Sequence, residues 1–287
     1  MASLKEIKSR IASVNGTLKI TSAMKMVASA KLHRVQSIMA DLAEYELRLS
    51  DIASAIVRDP EVIAMSPLAT PHKTMHHAIV IAFSSDNSLC GSFNSNAIRT
   101  MNEQIKKLRN EGFSEITIYP VGEKIAAAAR KTKCTLCNDF IHMAKSPSFS
   151  QAAELAEQLM ESFIKEETDN VYLVYNHFYS MSRQKPQADT FLPMNMSNIA
   201  SGTDTHANYI YEPAITELTK ELLPYALKVQ LYKVLLDSCT AEHAARTVAM
   251  QTATDNAQEL LEELSLIYNK RRQQAITEEL ADITETN

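Results

Sequence analysis

Residues 4–32 read LKEIKSRIASVNGTLKITSAMKMVASAKL, and the spacing of their apolar side chains decides the fold. Leu4, Ile7, Ile11, Val14 and Leu18 advance in alternating steps of three and four, and Leu32, Val35, Met39, Leu42, Leu49 and Ile56 keep the rhythm. Such a repeat holds one stripe against a partner helix over many turns, the signature of a coiled coil. Ser3 and Glu6 have the spacing of a capping box, and Asp59-Pro60 closes the segment because proline cannot continue the hydrogen-bond ladder. In the middle, seam positions 21, 25 and 28 hold Thr, Lys and Ala, while Met24, Met26 and Val27 lie off the seam. The lost apolar area, beside lysines and adaptable methionines, predicts contact with an external, negatively charged partner. A stutter in the register and a solvated lysine face are the other readings of the same residues.

The far end of the chain repeats the pattern. No proline or glycine follows Pro224, Leu227, Leu231 and Val234 give one seam, and Leu260, Leu264 and Ile267 give another. Between them AEHAARTVAMQTATDNA (241–257) carries Ala241, Ala245, Ala249, Ala253 and Ala257 at helical spacing, small enough for a close approach by a partner helix or another surface. The middle is different. HHAIVIAF (76–83), EITIYPV (115–121) and VYLVYNHF (171–178) are short β-branched and aromatic runs. They alternate with helical segments near 94–110, 123–132 and 150–166, which predicts an α/β layer domain with a mainly parallel sheet. The expected organisation is a coiled-coil helix over 1–60, an α/β domain over 70–205 and a second coiled-coil helix over 208–287. A first helix of roughly 80 Å exceeds the roughly 50 Å diameter of a compact globule of this length. It must protrude. The second long helix runs beside it, antiparallel, giving a head with a two-helix shaft that carries both termini at its tip.

Composition removes most alternatives. Five glycines, no tryptophan and a net charge of −5 describe a helix-rich chain without the overall basicity of a nucleic-acid binder. No apolar run is long enough to span a bilayer, and the charged N-terminus lacks the apolar core of a secretory signal. The loop SSDNSLCGSFN (84–94) follows a strand and opens a helix, as phosphate-binding loops do, but it has one glycine and no Walker lysine. Cys134 and Cys137 form a lone C-x-x-C without the second pair that zinc requires, and His72, His76 and His77 have no carboxylate cluster near them in sequence. No cofactor, no metal and no catalytic centre are expected.

The two ends resemble, nearly residue for residue, the conserved ends of the gamma subunit family of the F-type ATP synthase: LKEIKSRIASVNGTLKITSAMKMVASAKL at the start, and AEHAARTVAMQTATDNAQELLEELSLIYNKRRQQAITEELADI at the finish. SSDNSLCGSFN is similar to that family's S-D-x-G-L-C-G-x-F/L-N segment and YIYEP (209–213) to its Y-x-Y-E-P, in the same order along the chain. The resemblance implies an antiparallel coiled coil with a Rossmann-like α/β domain between its helices. It implies a rotor inside a ring of three alpha and three beta subunits, standing with epsilon on a membrane ring of c subunits, at the cytoplasmic face of a bacterial membrane. By position, Met24 and Lys25 match residues that pass a mobile acidic lever of beta, with Glu242 and Arg246 on the opposing helix near that level. Arg272, Gln273 and Thr277 match the upper contacts with a catch loop of beta, and Tyr209 and Glu212 match the foot near the c ring. Ser88, Ser92 and Thr247 depart from the family's usual glycines and methionine. The rival expectation is a coiled-coil adaptor or nucleic-acid-binding scaffold using the basic first helix, which predicts steeply salt-dependent DNA binding.

Overall fold

The computed structural model describes residues 3–57, 66–72, 76–194 and 215–285. Helix α1 (Leu4–Val57) opens with the expected reciprocal cap. Ser3 N–H donates to Glu6 Oε2 at 2.9 Å, and Glu6 N–H donates to Ser3 Oγ at 3.2 Å. Every seam position from Leu4 to Leu49 is buried or half-buried, and the residues between are mostly exposed. The C-terminal helix α5 (Ile215–Glu285) lies antiparallel along it: Thr21 meets Thr254, Lys25 meets Gln251 and Glu46 meets Lys233. Pro224 sits inside α5, in its third turn, so the helix begins ahead of the proline.

The middle of the seam differs from the sequence reading. Thr21 and Ala28 are not surrendered to a partner; both are buried, Ala28 at 2% exposure. At the level of Thr21 the opposing helix presents Thr254, and at the level of Lys25 it presents Gln251 beside the buried Met250. Thr254 Oγ1 donates to Thr21 Oγ1 at 2.9 Å, and Thr21 Oγ1 donates onward to the Leu18 carbonyl at 3.1 Å. In the later seam of α5, Leu264 is buried as expected and the positions on either side of it shift by one residue. Leu261, Leu264 and Tyr268 face α1, whereas Leu260 and Ile267 are exposed at 43% and 41%. Apolar residues occur on both sides of that stripe, and only the partner's register selects between them.

Between the two helices in sequence comes a five-stranded sheet. Strands β1 (His77–Phe83), β2 (Glu115–Val121), β3 (Thr135–Leu136), β4 (Asn170–Phe178) and β5 (Gln184–Leu192) take the order β3-β2-β1-β4-β5. The first four are parallel and β5 is antiparallel to β4. Helices α2 (Phe93–Glu111), α3 (Glu123–Ala129) and α4 (Phe149–Ile164) make the crossovers, with a 3-10 helix at Ile141–Lys145 before α4. Both faces of β1 are covered, which explains its unbroken apolar run. Ile79, Ile81 and Phe83 join one core with Leu155, Leu159 and Phe163 of α4 and Leu227, Leu231 and Leu235 of α5. Ala78, Val80 and Ala82 join the other with Met101, Ile105 and Leu108 of α2. The first core also takes Val35 of α1, so the base of the coil is part of the head.

Candidate functional site at the shaft and its joint with the head

The strand order reverses between β1 and β4, and in open α/β sheets the crevice at the carboxyl edge of such a pair is where ligands bind. Here protein fills it. Ser84, just past β1, accepts Ile125 N–H on Oγ at 2.9 Å, and Asp86 Oδ1 accepts Glu123 N–H at 3.1 Å. The amides at the start of α3, which would meet a phosphate, are thus satisfied by the chain's own oxygens. Ser85 N–H donates to Asn94 Oδ1 at 3.1 Å, and Ser85 Oγ donates to the Asn87 carbonyl at 2.6 Å, locking the loop 84–94 on itself. Leu89 is held at φ 68 and is 59% exposed, an uncommon backbone state for a bulky residue at the loop's outer corner.

Across this edge lies α5. Ala241 and Ala245 pack on Cys90 and Phe93, and a Cβ placed on Gly91 would stand 4.0 Å from Ala249 Cβ. The first part of the alanine column admits the head's loop rather than a helix. Arg246 Nη2 donates to the Asn87 carbonyl at 3.3 Å, and its Nη1 donates to Glu242 Oε1 at 2.5 Å. Burial pushes the Glu242 carboxyl up from its usual range, with Arg246 pulling the other way. Neighbouring His243 is driven down to about 4 by burial, with the charges of Arg246 and Lys31 acting in the same direction. One turn and a half earlier, buried Asp237 takes Phe178 N–H on Oδ1 at 3.0 Å and His177 Nδ1 on Oδ2 at 2.5 Å.

The residues singled out from sequence fall into separate groups. Met24 and Lys25 are half-buried, and Lys25 Nζ donates to Gln251 Oε1 at 2.9 Å across the coil. Around them Ile20, Met26 and Val27 are exposed, and Lys25, Met26, Ser29, Ala30, His33 and Thr247 line an open groove of about 490 Å³. The outward surface is therefore the flank of the coil, not its seam. Glu242 and Arg246 turn inward, to the loop 84–94. Arg272, Gln273 and Thr277 are exposed near the far end of α5, about 30 Å beyond Gln251 along the helix. Tyr209 and Glu212 lie outside the described residues. Asp86, Asn87, His177 and Asp237 were not anticipated, although an aspartate inside the apolar run VLLDSC is a legible signal for a buried tie.

The histidines and cysteines have structural settings. His77 Nε2 lies 2.8 Å from Thr117 Oγ1 and its Nδ1 lies 2.8 Å from the Glu167 carbonyl, while His72 stacks on Phe163 with centroids 4.3 Å apart. Asp169 Oδ2 receives the N–H groups of His76 and His77. Arg109 Nη2 donates to Cys134 Sγ at 3.6 Å, Cys137 Sγ contacts Asp139 Oδ2 at 3.5 Å, and burial raises the Cys137 thiol. Among the described residues no group of three or more His, Cys, Asp and Glu could hold a metal ion, and no helix is long and apolar enough to cross a membrane.

Comparison with known proteins is consistent along the whole length. The family described as ATP synthase matches residues 3–286. The chain is 47% identical over 286 residues to the ATP synthase gamma chain of Phocaeicola vulgatus, covering 99% of this chain and 98% of that one. It is 44% identical to the gamma chain of Bacteroides fragilis strain YCH46 over the same shares. Among solved structures, the Euglena gracilis mitochondrial ATP synthase contains a chain with a TM-score of 0.62 and 21% identity, covering 99% of this chain and 93% of that one. A chain of the central stalk and c-ring assembly of the Tetrahymena thermophila enzyme gives 0.58 at 24% identity, over 82% and 99%. At those identities the two structures speak for the fold.

Proposed function

This chain belongs to the ATP synthase gamma-chain family, and from that membership we propose that it is the central rotor shaft of an F-type enzyme. The observation that carries the reading is the shape: an antiparallel helix pair grows out of a head whose ligand crevice is filled by its own loop 84–94, with the shaft packed across it. Such a part binds no nucleotide of its own and carries no catalytic site. It transmits position. The head and epsilon stand on the membrane c ring, with Tyr209 and Glu212 toward that ring, on the cytoplasmic face of a bacterial membrane. The coil stands within three alpha and three beta subunits. Ion flow turns the ring, and each orientation of the asymmetric coil stabilises a different state of each beta site.

Met24 and Lys25, with the exposed Met26 and Val27 beside them, meet the acidic lever of beta. Arg272, Gln273 and Thr277 meet the catch loop. Glu242 and Arg246 act at the lever's level from within, by holding the loop 84–94 against α5. The test is co-expression with the alpha and beta subunits of the same source, then gel filtration and an ATPase assay. One copy per three alpha–beta pairs, with hydrolysis that depends on it, is the expected result. A chain that elutes apart from them, or a complex equally active without it, rejects the rotor.

A further inference from the structure

Residues 234–242 of α5 are buried almost all round, packed on the sheet and α4 through Val234, Leu235 and Leu236. Apolar packing resists separation, but the attraction itself is non-directional, whereas a hydrogen bond fixes an angle as well as a distance. Asp237 interrupts this run. Its two carboxylate oxygens take two different groups at the end of β4, the Phe178 N–H and the His177 ring. The hairpin beyond backs the pair: Tyr179 packs edge-on against His177 with centroids 4.7 Å apart, and the Arg183 guanidinium lies 5.6 Å from the Tyr179 ring centre. A buried carboxylate is a costly way to hold a helix that leucine would hold as well. What it adds is direction, because charge-assisted bonds to a strand fix both the height and the rotational setting of α5. Nine residues on, the Arg246 bond to the Asn87 carbonyl gives a second directional tie, about 13 Å away along the helix.

We propose that Asp237 is a positioning residue of the rotor, the pin that fixes the shaft's rotational setting against the head so that torque crosses the joint without slip. The proposal rests on the rotor reading and adds where its stiffness resides. Apolar contacts alone keep the joint together at rest. Under load, the pin keeps the head from turning on α5.

The experiment compares wild type, Asp237→Leu and Asp237→Asn in the full synthase reconstituted into vesicles. It measures hydrolysis by the detached alpha–beta–gamma complex, which is unloaded, and ions pumped per ATP against a rising gradient. Asp237→Leu keeps the branched four-atom shape, with two methyl groups in place of the oxygens, and is expected to assemble with unloaded hydrolysis unchanged. Its pumping per ATP falls severalfold, and the deficit widens as the gradient grows. Asp237→Asn retains an acceptor for Phe178 N–H and is expected to fall between the two. A merely structural defect lowers loaded and unloaded activity together, and that outcome overturns the pin. So does a pumping ratio equal to wild type at every gradient. If Asp237→Leu fails to assemble, Asp237→Asn decides by the same ratio. A wild-type chain that neither supports hydrolysis nor pumps rejects the rotor itself, a result distinguishable from the loss of the pin alone.

Discussion

Gly122 stands where a side chain cannot. Its φ is +107°, and a Cβ built on it would meet the Ser84 carbonyl oxygen at 2.3 Å and Ser84 Oγ at 2.6 Å. The close approach lets Ser84 cap the start of α3, so the contact that forbids a Cβ is the one that fills the crevice. Gly122→Ala is expected to cost on the order of 3 kcal/mol, since it combines left-handed strain with a backbone clash. Urea unfolding of the isolated chain measures it, and a loss below about 1 kcal/mol contradicts the account. His243 makes a second prediction at this scale. Its Nδ1 is buried without a hydrogen bond, and its folded pKa is near 4 against an ordinary 6.5. Between those values the unfolded chain takes a proton that the folded one refuses, so stability falls as pH drops from about 6.5 toward 4, by up to about 3 kcal/mol. Glu242, shifted upward, works with the opposite sign and softens the acid end of that loss. In His243→Leu the fall across this window should flatten. An unchanged slope means that His243 titrates freely.

At the scale of elements, the middle of the coil is the informative part. Ala28 is 2% exposed, two turns along α1 from Thr21, whose hydroxyl meets Thr254 of α5. Ala28→Leu inserts three carbons where there is no space and should destabilise by about 1–3 kcal/mol, although leucine is the better seam residue in isolation. Thermal unfolding checks it, and a stabilised variant means the seam really does gape. This is also where the sequence reading failed for a physical reason. A heptad position records how much apolar area its occupant offers, but not how near the partner helix comes. Thr and Ala therefore read as a gap, although both are buried in the coil. The same limit put the later seam of α5 on Leu260 and Ile267, because apolar residues flank the true stripe of Leu261, Leu264 and Tyr268. Strands β1 and β4 were legible because burial on both faces leaves a continuous apolar run, and β2 because buried Ile116 and Ile118 alternate with more exposed neighbours. Strand β5 was not. QKPQADTFL is polar, carries Pro186 and lies at the sheet's edge, held in place by its pairing with β4. At the joint, Glu242 and Arg246 were visible as residues but the bond from Arg246 to Asn87 was not, since that contact spans more than 150 positions of chain.

Over the whole molecule, the two long helices are unequal. Lys25 lies opposite Gln251 and Thr21 opposite Thr254, so the same register carried to the start of α1 sets Leu4 near Arg271. Beyond that level α5 continues to Glu285 without α1 beside it, a single helix of about 20 Å. Ile276 and Leu280 are 50% and 58% exposed on this extension. A lone stretch of that length is marginal in water, and its apolar residues gain burial only from a surrounding sleeve. Stability and function should therefore separate here. Residues 274–285 lie past the end of α1, so removing residues 274–287 should move the melting temperature of the isolated chain by no more than about 2 °C. In the complex with alpha and beta, the same truncation should lower hydrolysis and speed release of the shaft. Hydrogen exchange gives the direct reading. Amides over 274–285 should exchange fast in the free chain and become protected once the sleeve is present. If they are already protected in the free chain, or if truncation lowers its melting temperature by many degrees, then the extension folds back onto its own subunit. The tip would then be part of the coil, and the sleeve would have nothing left to hold.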